Sequence, residues 1–550
     1  MNTVIAQIIK EYFDVEMDVV LSRPDEKFGD YSTNVALQLA KPVGKNPSEI
    51  AELIAQKLRQ TGEYESVTIA GAGFINMRLS DTVLLDSLSA APRQLLTGKT
   101  IVVEYSDPNP FKPLHAGHLY TTLVGDSISR LVENSGAATI RINYGGDVGL
   151  HVGKSMWAII QQLGGELPEK LDEIADIDRT TWLGARYVEG NTAYEDELEA
   201  KKMIVETNKR VYQIHSKNDT TSAFAQIYWT TRQWSYDYFE VLYKQLDVKP
   251  FARYIPESEV TPLGLSAVKE QLEKGVYSES DGAVVFDGEK IGLHTRVFIN
   301  SEGLPTYEAK DVGLSLTKWR DYSFDESIII TANEQAQYMQ VVIASVKEFA
   351  PELAERTRHL THGVVKLQGG VKMSSRKGNI VSALEILNSA RKAASATGRD
   401  TSESTVLAAV KYAFAKNRIG GDIAYDPVES IALEGNSGPY LQYAHARACS
   451  IIAKSDITSK KPTTLQTGER SLLRKLTEYQ DTVAKATSEL MPHYIATYLY
   501  ELAQDFNSFY EHNRVIGDER QAERLWLIEQ YATILKSGLG LLGITAPEKM

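Results

Sequence analysis

The stretch Ile101-Val-Val-Glu-Tyr-Ser-Asp-Pro-Asn-Pro-Phe-Lys-Pro-Leu-His-Ala-Gly-His118 decides how the centre of this chain folds. Its first five residues form a short run rich in β-formers, which is consistent with a buried parallel strand. A proline-rich turn follows, and apolar residues then recur at helical spacing as far as Gly136. Ala138-Thr-Ile-Arg-Ile-Asn-Tyr144 has the pattern of the next strand. Strand, helix and strand joined by glycine turns predict half of a doubly wound, Rossmann-type nucleotide-binding sheet.

The segment His115-Ala-Gly-His118 is the first candidate binding element. It opens a helix soon after a strand, so free backbone N–H groups and the positive helix end face any phosphate placed there. His115 and His118 can donate hydrogen bonds to phosphate oxygens. Gly117 has no side chain, which lets a flat adenine ring approach the backbone closely, and Lys112 just upstream adds a cation.

The second candidate element is Lys372-Met-Ser-Ser-Arg-Lys-Gly-Asn379, with Gly369-Gly370 just before it. Its cations, hydroxyls and glycine predict a loop that closes over a triphosphate and stabilises departing pyrophosphate. Alone, either motif could be an ordinary helix start or a solvated basic turn. Together they predict an ATP site that activates a carboxylate as its adenylate, with Mg²⁺ and without a covalent nucleophile. The nucleotide contacts predicted in the second element are Lys372 (also catalytic), Met373, Ser374, Ser375 and Arg376.

Composition limits the classes of protein that the chain can belong to. Its 550 residues exceed what one apolar core supports and imply two or three domains. No apolar run is long enough to span a bilayer, and no signal peptide is recognisable at the N-terminus. The single Cys449 predicts neither a disulfide nor a thiolate zinc site, which favours a reducing, cytoplasmic compartment. A net charge of −13 argues against loose coating of nucleic acid but leaves room for a local basic strip.

The pattern along the chain predicts an α/β protein of three parts. Residues 1–95 are expected to form a small α+β domain. Residues 96–385 are expected to hold the doubly wound Rossmann-type domain, with a helical, tyrosine-rich insertion at about 164–287 and a hairpin near Arg296 that returns the chain to the sheet. Strand signals then fade, and residues 386–550 are expected to form an all-α bundle.

Several further segments strengthen one resemblance. Together with the two candidate elements, the chain resembles the class I aminoacyl-tRNA synthetases, and the arginyl-tRNA synthetase family in particular. The similarity extends over essentially the whole chain. The segments that carry it are Glu104 to His118, Gly146-Asp-Val-Gly149, Gly303-Leu-Pro-Thr-Tyr-Glu-Ala-Lys-Asp311, Asn436-Ser-Gly-Pro-Tyr-Leu-Gln-Tyr-Ala-His-Ala-Arg447 and Gly540-Leu-Leu-Gly-Ile-Thr-Ala-Pro-Glu-Lys-Met550.

The resemblance implies roles for particular residues. A guanidinium is a planar fork of donors, best bound by carboxylates and neutral acceptors in fixed positions. The implied arginine contacts are Glu104, Ser106, Tyr307 and Asp311, with Asn109 and Gln335 toward the α-amino end. Gly146 and Asp147 are implied on the ATP side, beside His115, Gly117 and His118. Tyr440, Tyr443 and Arg447 are implied to contact tRNA in an anticodon-binding bundle.

What the resemblance implies for function is an arginine–tRNA ligase. L-Arginine and ATP would form arginyl-adenylate and pyrophosphate, and arginine would pass to the 3′-terminal adenosine of tRNA(Arg). A cytoplasmic monomer with no membrane contact and no zinc is expected, and activation that requires bound tRNA is left open. Departures from the family pattern are Ser375, Val148 and Tyr338, which concern local adenosine contacts. Three alternatives remain: another class I synthetase, a catalytically silent tRNA-binding relative and a simple nucleotidyltransferase.

Overall fold

The computed structural model of the protein describes residues 1–88, 93–367, 381–398 and 402–550. These residues form a small α+β domain, a central α/β domain and a helical domain, in chain order, which confirms the predicted fold class. Among the helices within these ranges, none has the length and apolar character needed to cross a membrane.

The N-terminal domain packs helices on a three-stranded sheet. Its elements are α1 (Asn2–Phe13), a 3-10 turn (Glu26–Phe28), β1 (Tyr31–Thr33), α2 (Val35–Val43), α3 (Pro47–Gln60), β2 (Tyr64–Ala70), β3 (Phe74–Leu79) and α4 (Asp81–Leu88). The strands are antiparallel, in the order β1-β3-β2. Ile5 of α1, Leu39 of α2 and Ile54 of α3 are fully buried in one apolar core with Ile75 of β3, so this domain has a core of its own.

The central domain has strands that belong to a five-stranded sheet, a three-stranded sheet and, for the last of them, a two-stranded sheet. Its strands are β4 (Thr100–Glu104), β5 (Ala138–Gly145), β6 (Arg253–Pro256), β7 (Ser278–Ser280), β8 (Ala283–Phe286), β9 (Arg296–Ile299), β10 (Glu326–Ala332), β11 (Thr357–His362) and β12 (Val365–Leu367). Its helices are α5 (Ala116–Asn134), α6 (Leu150–Leu163), α7 (Arg179–Asp196), α8 (Leu198–Ser216), α9 (Ala223–Gln245), α10 (Glu257–Glu273), α11 (Tyr307–Tyr322), α12 (Ala336–Lys347) and α13 (Pro351–Glu355). Short 3-10 turns lie at Pro168–Glu173, Asp176–Asp178, Gly288–Ile291 and Asn333–Gln335.

Five of these strands form a parallel sheet in the order β11-β10-β4-β5-β6. The chain builds β4, β5 and β6 outward on one side and then crosses back to place β10 and β11 on the other. The order therefore reverses between β4 and β10, and ligands of such sheets bind at the carboxyl ends of the strands beside this point. The strands predicted at Ile101–Tyr105, Ala138–Tyr144 and Ser327–Thr331 are β4, β5 and β10.

The insertion is shorter than the sequence predicted. Its expected end was residue 287, but β6 already pairs in parallel with β5, with Arg253 opposite Ile142. The hairpin expected to return the chain to the parallel sheet near Arg296 is β9, which lies in a separate antiparallel sheet in the order β7-β8-β9. A strand of four residues carries too little alternation to stand out after long polar helices, which explains the difference.

The C-terminal part is mainly helical. Its elements are α14 (Ala383–Ala396), α15 (Glu403–Ala415), β13 (Ile423–Tyr425), α16 (Pro427–Ser430), α17 (Gly438–Ala453), α18 (Thr467–Thr477), α19 (Tyr479–Glu489), α20 (His493–His512) and α21 (Gln521–Leu541). Strand β13 was not predicted, and it pairs in parallel with β12. Leu387 of α14 and Phe414 of α15 share an apolar core with Val103 of β4, and this core extends to Ile431. By packing, the central domain therefore continues well past the boundary predicted at residue 385.

A buried ion pair joins the N-terminal domain to the helical domain. Arg470 of α18 donates to Asp30 at 2.8 Å and to the carbonyl oxygen of Leu79 at 2.8 Å. The side chains of both charged residues are almost completely inaccessible. Arg23 adds a contact at 3.3 Å to Asp481 at the rim of this interface. The two domains are thus held in one relative position by charges that water does not screen.

Helix α11, which carries Tyr307 and Asp311, packs very closely against α10. Gly264 of α10 and Gly313 of α11 lie at the contact, where each lacks a side chain. A Cβ atom at Gly313 would overlap the carbonyl oxygen of Val260 on α10. A Cβ atom at Gly264 would overlap the carbonyl oxygen of Ala309 on α11. The two glycines therefore fix how deeply α11 sits, and with it the position of Asp311.

We predict that Gly313→Ala lowers the free energy of unfolding by about 1–3 kcal/mol, because the added methyl group forces α10 and α11 apart. Gly540→Ala is the matched control, since a Cβ at this helical glycine meets nothing within 4 Å. The control should be neutral or slightly stabilising. Urea unfolding followed by far-ultraviolet circular dichroism measures both, and equal stability of the two variants would contradict the close packing.

Candidate active site

Helix α5 begins with two histidines that cap each other. The Nδ1 atom of His115 accepts hydrogen bonds from the backbone N–H groups of Gly117 at 3.1 Å and His118 at 3.3 Å. The Nδ1 atom of His118 accepts one from the backbone N–H of His115 at 3.3 Å, and the two rings stack with centroids 3.7 Å apart. The arrangement is a capping box made of imidazoles, and it requires the three-residue spacing that the sequence shows.

The capping bonds fix the protonation of both rings. A backbone N–H can donate only to an unprotonated nitrogen, so in each ring the proton must be on Nε2. Burial acts in the same direction: it lowers the pKa of His115 to about 4, and it lowers the pKa of His118 well below its usual value. The helix start therefore offers two neutral Nε2–H donors at the site predicted for phosphate.

Five of the predicted nucleotide contacts lie outside the described residues, namely Lys372, Met373, Ser374, Ser375 and Arg376. The chain that leads toward them is described, and it lies against α5. The Nε2 atom of His362, at the end of β11, is 2.6 Å from the Thr121 hydroxyl, and its ring packs on Tyr120 with centroids 4.4 Å apart. Sequence analysis did not single out His362, because its contact with α5 depends on how strands are ordered in the sheet.

The chain that follows the same segment also lies beside the histidines. The backbone N–H of Ala116 donates to the carbonyl oxygen of Val381 at 2.9 Å, and the N–H of Ala383 donates to the carbonyl oxygen of Leu114 at 2.9 Å. Described residues on both sides of 368–380 are thus bonded to the first half of α5 or to the turn before it.

The turn after β5 contains the predicted contacts Gly146 and Asp147. The backbone N–H of Gly146 donates to Oδ1 of Asn109 at 2.8 Å, which ties this turn to the one after β4. Asp147 differs from its predicted role, because its side chain is fully buried and already bonded. It accepts from the N–H and hydroxyl of Ser258 at 2.9 and 2.7 Å and from Nε of Arg232 at 3.0 Å. This carboxylate holds the turn and is not presented to a nucleotide.

Two buried ion pairs lie behind the carboxyl edge of the sheet. Lys318 of α11 contacts Glu104 at 2.5 Å, and Lys310 contacts Glu257 at 2.6 Å. All four side chains are nearly inaccessible to solvent. Glu104 therefore differs from the prediction of a free guanidinium ligand, since its charge is already balanced by a lysine that the sequence did not point to.

Two more carboxyl groups, those of Asp107 and Asp311, lie in the same region, where the charge of Lys318 also acts on both. Oδ1 of Asp107 accepts from the backbone N–H of Tyr144 at 2.8 Å, and the hydroxyl of Tyr338 donates to Asp311. Neither carboxyl group forms an ion pair within the part of the chain that is described. Burial raises the pKa of Asp107 well above its usual value and that of Asp311 to about 7, and the charge of Glu104 adds to both shifts.

Asp107 is the pocket residue that the sequence analysis missed. Ser106 and Asp107 have positive φ angles of 77° and 46°, which residues other than glycine rarely adopt. This backbone directs the Asp107 carboxylate to Tyr144, whereas the predicted contact Ser106 turns inward and is bonded to the hydroxyls of Tyr243 and Thr122, each at 2.7 Å. The prolines indicated a turn, but not which side chain it would present.

A tyrosine hydroxyl lies near these carboxyl groups. We refer to Asp107, Asp311 and Tyr144 together as the acidic pocket. The Oη atom of Tyr144 is buried and has no hydrogen-bond partner in the described chain, a rare state for a buried polar atom. The charge of Asp311 raises the pKa of Tyr144, after the larger effect of burial, so the two groups are neighbours. The hydroxyl is available to a polar ligand.

The predicted contacts Tyr307 and Gln335 are accessible. Tyr307 is the first residue of α11, with 52% of its surface exposed, and its ring lies 5.0 Å from Nζ of Lys310. Gln335 ends the 3-10 turn that follows β10 and is exposed. Both therefore border the region where the strand order reverses, and their roles stay predictions.

Charge effects link the region of Asp107 and Asp311 to the histidines at the start of α5. The charge of Glu257 raises the pKa of Asp311, and it partly opposes the burial that lowers the pKa of Lys112 to about 8. Lys112 in turn lowers the pKa values of His115 and His118, after the larger effect of burial. The charge of Glu257 thus acts on both Asp311 and Lys112, and the charge of Lys112 acts on both histidines.

The predicted RNA contacts share one face of α17. Tyr440, Tyr443 and Arg447 are three, then four, residues apart, a spacing that aligns them on a helix. The guanidinium of Arg447 lies 4.7 Å from the ring centre of Tyr510 on α20, and Asn507 donates to the Tyr440 hydroxyl at 2.9 Å. Tyr443 is 45% exposed, so this face presents a free aromatic ring beside an oriented cation.

Comparison with known families assigns the class of the fold. The family model described as tRNA synthetases class I (R), catalytic domain, matches residues 81–430, which makes the central domain that of a class I aminoacyl-tRNA synthetase. Models described as Arginyl tRNA synthetase N terminal domain and DALR anticodon binding domain match residues 1–79 and 441–550. The chain belongs to the arginyl-tRNA synthetase family.

Individual relatives are similar to this chain over nearly its full length. The arginine–tRNA ligase of Lactobacillus delbrueckii subsp. bulgaricus is 31% identical over 563 residues, covering 97% of this chain and 96% of the relative. That of Porphyromonas gingivalis is 29% identical over 580 residues, covering 98% and 96%. Among solved structures, the Thermus thermophilus arginyl-tRNA synthetase superposes with a TM-score of 0.81 at 25% identity, covering 100% of this chain and 99% of that one.

We predict that both histidines at the start of α5 stay neutral, with the proton on Nε2, from pH 8 down to pH 5. Their pKa values are lowered, to about 4 for His115, so the charged form gains population only in more acidic solution. ¹⁵N-histidine NMR of the whole protein reports the tautomer, and His115→Asn and His118→Asn assign the signals. A proton on Nδ1 of either ring, or a titration near pH 6.5, would contradict the capping geometry.

Proposed function

We propose that the protein activates L-arginine with ATP and transfers it to the 3′-terminal adenosine of tRNA(Arg). The observation that carries this proposal is the pair of half-buried, desolvated carboxyl groups of Asp107 and Asp311, which form no ion pair among the described residues. They lie beside a helix start with two neutral donors. A cationic substrate and a phosphate-bearing substrate would thus be held side by side.

The acidic pocket suits a guanidinium better than a simple ammonium. Asp107 and Asp311 come from different elements and can approach a planar fork of donors from two sides. The Tyr144 hydroxyl supplies a further acceptor. Binding of a cation would favour ionisation of both carboxyl groups, so the charge that is costly in the free protein is balanced in the complex. Glu104 and Lys318 would set the position of this pocket without touching the ligand.

At the phosphate end, the chain would stabilise charge that develops during the reaction. A carboxylate oxygen of arginine attacks the α-phosphorus of ATP, and the bond to the β-phosphate breaks, so that its electron pair leaves with pyrophosphate. The Nε2–H groups of His115 and His118 and the amide groups at the start of α5 would donate to the phosphate oxygens. The ion that accompanies ATP, Mg²⁺, is part of the substrate. Lys372 and its neighbours are proposed to bind the departing phosphates.

Transfer completes the reaction. The terminal 2′-hydroxyl of the tRNA attacks the arginyl carbonyl carbon, loses its proton, and AMP departs with the electron pair of the broken anhydride bond. The face of α17 with Tyr443 and Arg447 is proposed to receive unpaired anticodon bases by stacking. A cytoplasmic monomer without zinc is proposed from the family resemblance and the single Cys449.

The test of this function is ATP–pyrophosphate exchange with each amino acid in turn, with and without tRNA. Exchange is expected with arginine and not with lysine, whose ammonium cannot engage two carboxylates as a planar fork does. Asp311→Asn should lower kcat/KM for arginine about 10–100-fold, in line with a charged hydrogen bond of about 1.5–3 kcal/mol, and leave KM for ATP within about twofold. Exchange with another amino acid, or a tRNA gel shift without charging, would contradict the proposal.

The pH dependence of the same assay gives an internal control. The raised pKa of Asp311, about 7, means that its carboxyl group is mostly protonated at pH 6 and ionised at pH 8. Only the ionised form attracts a guanidinium, so kcat/KM for arginine should rise with pH across this window. In Asp311→Asn the rise should be shallower, since only Asp107 remains to titrate. An unchanged slope would remove Asp311 from the pocket.

A separate prediction concerns the helical domain. Tyr443→Ala should raise KM for tRNA about 5–100-fold, because stacking of one base contributes about 1–3 kcal/mol. Tyr443→Phe keeps the ring and should behave like the native protein. Aminoacylation at varied tRNA concentration measures both, and exchange at saturating tRNA is the control that should stay constant. Loss of exchange in Tyr443→Ala would indicate a folding defect in place of an RNA contact.

A further inference from the structure

Lys112 lies against an aromatic ring of the insertion. Its Nζ atom is 4.4 Å from the ring centre of Tyr187 on α7. The lysine side chain also lines a small cavity together with Leu183 and Trp234. Within the described residues, Lys112 has no ion pair and no hydrogen bond to a side chain or carbonyl group. A half-buried ammonium is thus held by a ring face and, in the described chain, by no other polar group.

The ring that holds Lys112 is itself held firmly. Helix α7 packs on α6, where Gly190 lies so close to the carbonyl oxygen of Lys154 that a Cβ would overlap it. Gly184, one turn before Tyr187, faces Pro113 at van der Waals distance. Tyr187 therefore has a fixed position relative to the loop that leads into α5.

The charges around Lys112 leave it without a counterion. His115 and His118 of α5 and His151 of α6 face it and are neutral, since burial lowers all three pKa values. Glu257 of α10 is the acidic group whose charge acts on it, and that carboxylate is paired with Lys310. Burial lowers the pKa of Lys112 itself to about 8.

A second lysine, Lys154 of α6, contacts another tyrosine of α7 and provides a contrast. Nζ of Lys154 lies 4.2 Å from the ring centre of Tyr194, seven residues after Tyr187 on α7. Lys154 also donates to Asn191 at 2.9 Å and lies 3.7 Å from Glu195. The charge of Lys154 is thus balanced by a nearby carboxylate, whereas the charge of Lys112 has no such partner in the described chain.

We propose that Tyr187 is a positioning residue that holds the Lys112 ammonium beside the histidine pair until the triphosphate of ATP takes it over. This inference rests on the proposed function. A ring face attracts a cation without neutralising it, so the full charge stays available. A carboxylate at the same place would compete with phosphate, and an aliphatic side chain would leave the ammonium free to turn toward water. Transfer from ring to phosphate oxygen exchanges a weaker interaction for a charge-assisted hydrogen bond.

The experiment uses the full-length protein in arginine-dependent pyrophosphate exchange at saturating tRNA. Tyr187→Leu is expected to lower kcat/KM for ATP about tenfold while KM for arginine stays within about twofold. Tyr187→Phe retains the ring face and should keep most of the rate. The matched control is Tyr194→Leu, which removes a lysine-contacting ring from the same helix and should match the native protein.

Two further readouts separate positioning from a general packing effect. In Tyr187→Leu, water reaches Lys112, its pKa rises, and the loss of kcat/KM for ATP at alkaline pH, expected near pH 8 in the native protein, should move upward. Lys112→Met should abolish the alkaline loss of kcat/KM for ATP. The double variant Lys112→Met/Tyr187→Leu should be no less active than Lys112→Met alone.

Each unfavourable result identifies what has failed. Equal rates for Tyr187→Leu and native protein, an equal loss in Tyr187→Phe, or additive losses in the double variant would overturn the positioning role. Those results leave the proposed function intact, because the native protein would still exchange pyrophosphate with arginine. Absence of that exchange in the native protein would instead overturn the proposed function.

Discussion

Burial of more carboxyl groups than lysines at the carboxyl edge of the parallel sheet is the constraint on which the site depends. Glu104 and Glu257 have lysine partners, whereas Asp107 and Asp311 have none in the described chain, and burial raises both of their pKa values. A desolvated carboxyl group costs free energy that packing alone does not return. A cation that binds only the folded protein would recover that cost. The pocket is therefore unfavourable as core packing and favourable as a binding site, which is the usual sign that burial of charge serves function.

The acidic pocket contains groups that can carry charge, whereas the proposed phosphate site contains neutral hydrogen-bond donors. Because the two Nδ1 atoms of His115 and His118 are occupied by backbone N–H groups, neither ring can charge without breaking the cap of α5. Neutral donors bind a ground-state phosphate only moderately, and their contribution grows as negative charge develops on the oxygens. Strong ground-state attraction would in addition slow the release of pyrophosphate. In the proposed site the positive charge is contributed by Lys112, whose pKa is lowered by burial to about 8.

The sequence predicted best what local pattern determines. Strands β4, β5 and β10 and helix α5 were found because their periodicity is clear, and the three-residue spacing of the histidines is the spacing of a cap. What it missed depends on distant partners. Lys318 is 214 residues from Glu104, and Arg232 is 85 residues from Asp147, so neither pairing leaves a local signal. The direction of Asp107 depends on a backbone conformation that side-chain type does not reveal. The family resemblance indicates which carboxylates contact arginine. It does not show that one of them, Glu104, is already paired with a lysine.

Helix α5 links the cleft to the helical domain through its other turns. Asp126 accepts from Arg130 at 2.7 Å, and both lie beside Lys411 of α15, which is buried and donates to the carbonyl oxygen of Gly543 at 2.5 Å. Gly543 has a φ angle of 67° and follows the last helix, where a Cβ would come within 3.0 Å of the Asp126 carboxylate. The end of the chain is thus seated on the helix whose first residues face the phosphate site. A rigid helix transmits displacement along its whole length, so any shift of the helical domain at Gly543 must be accommodated at His115 or absorbed by this buried cluster.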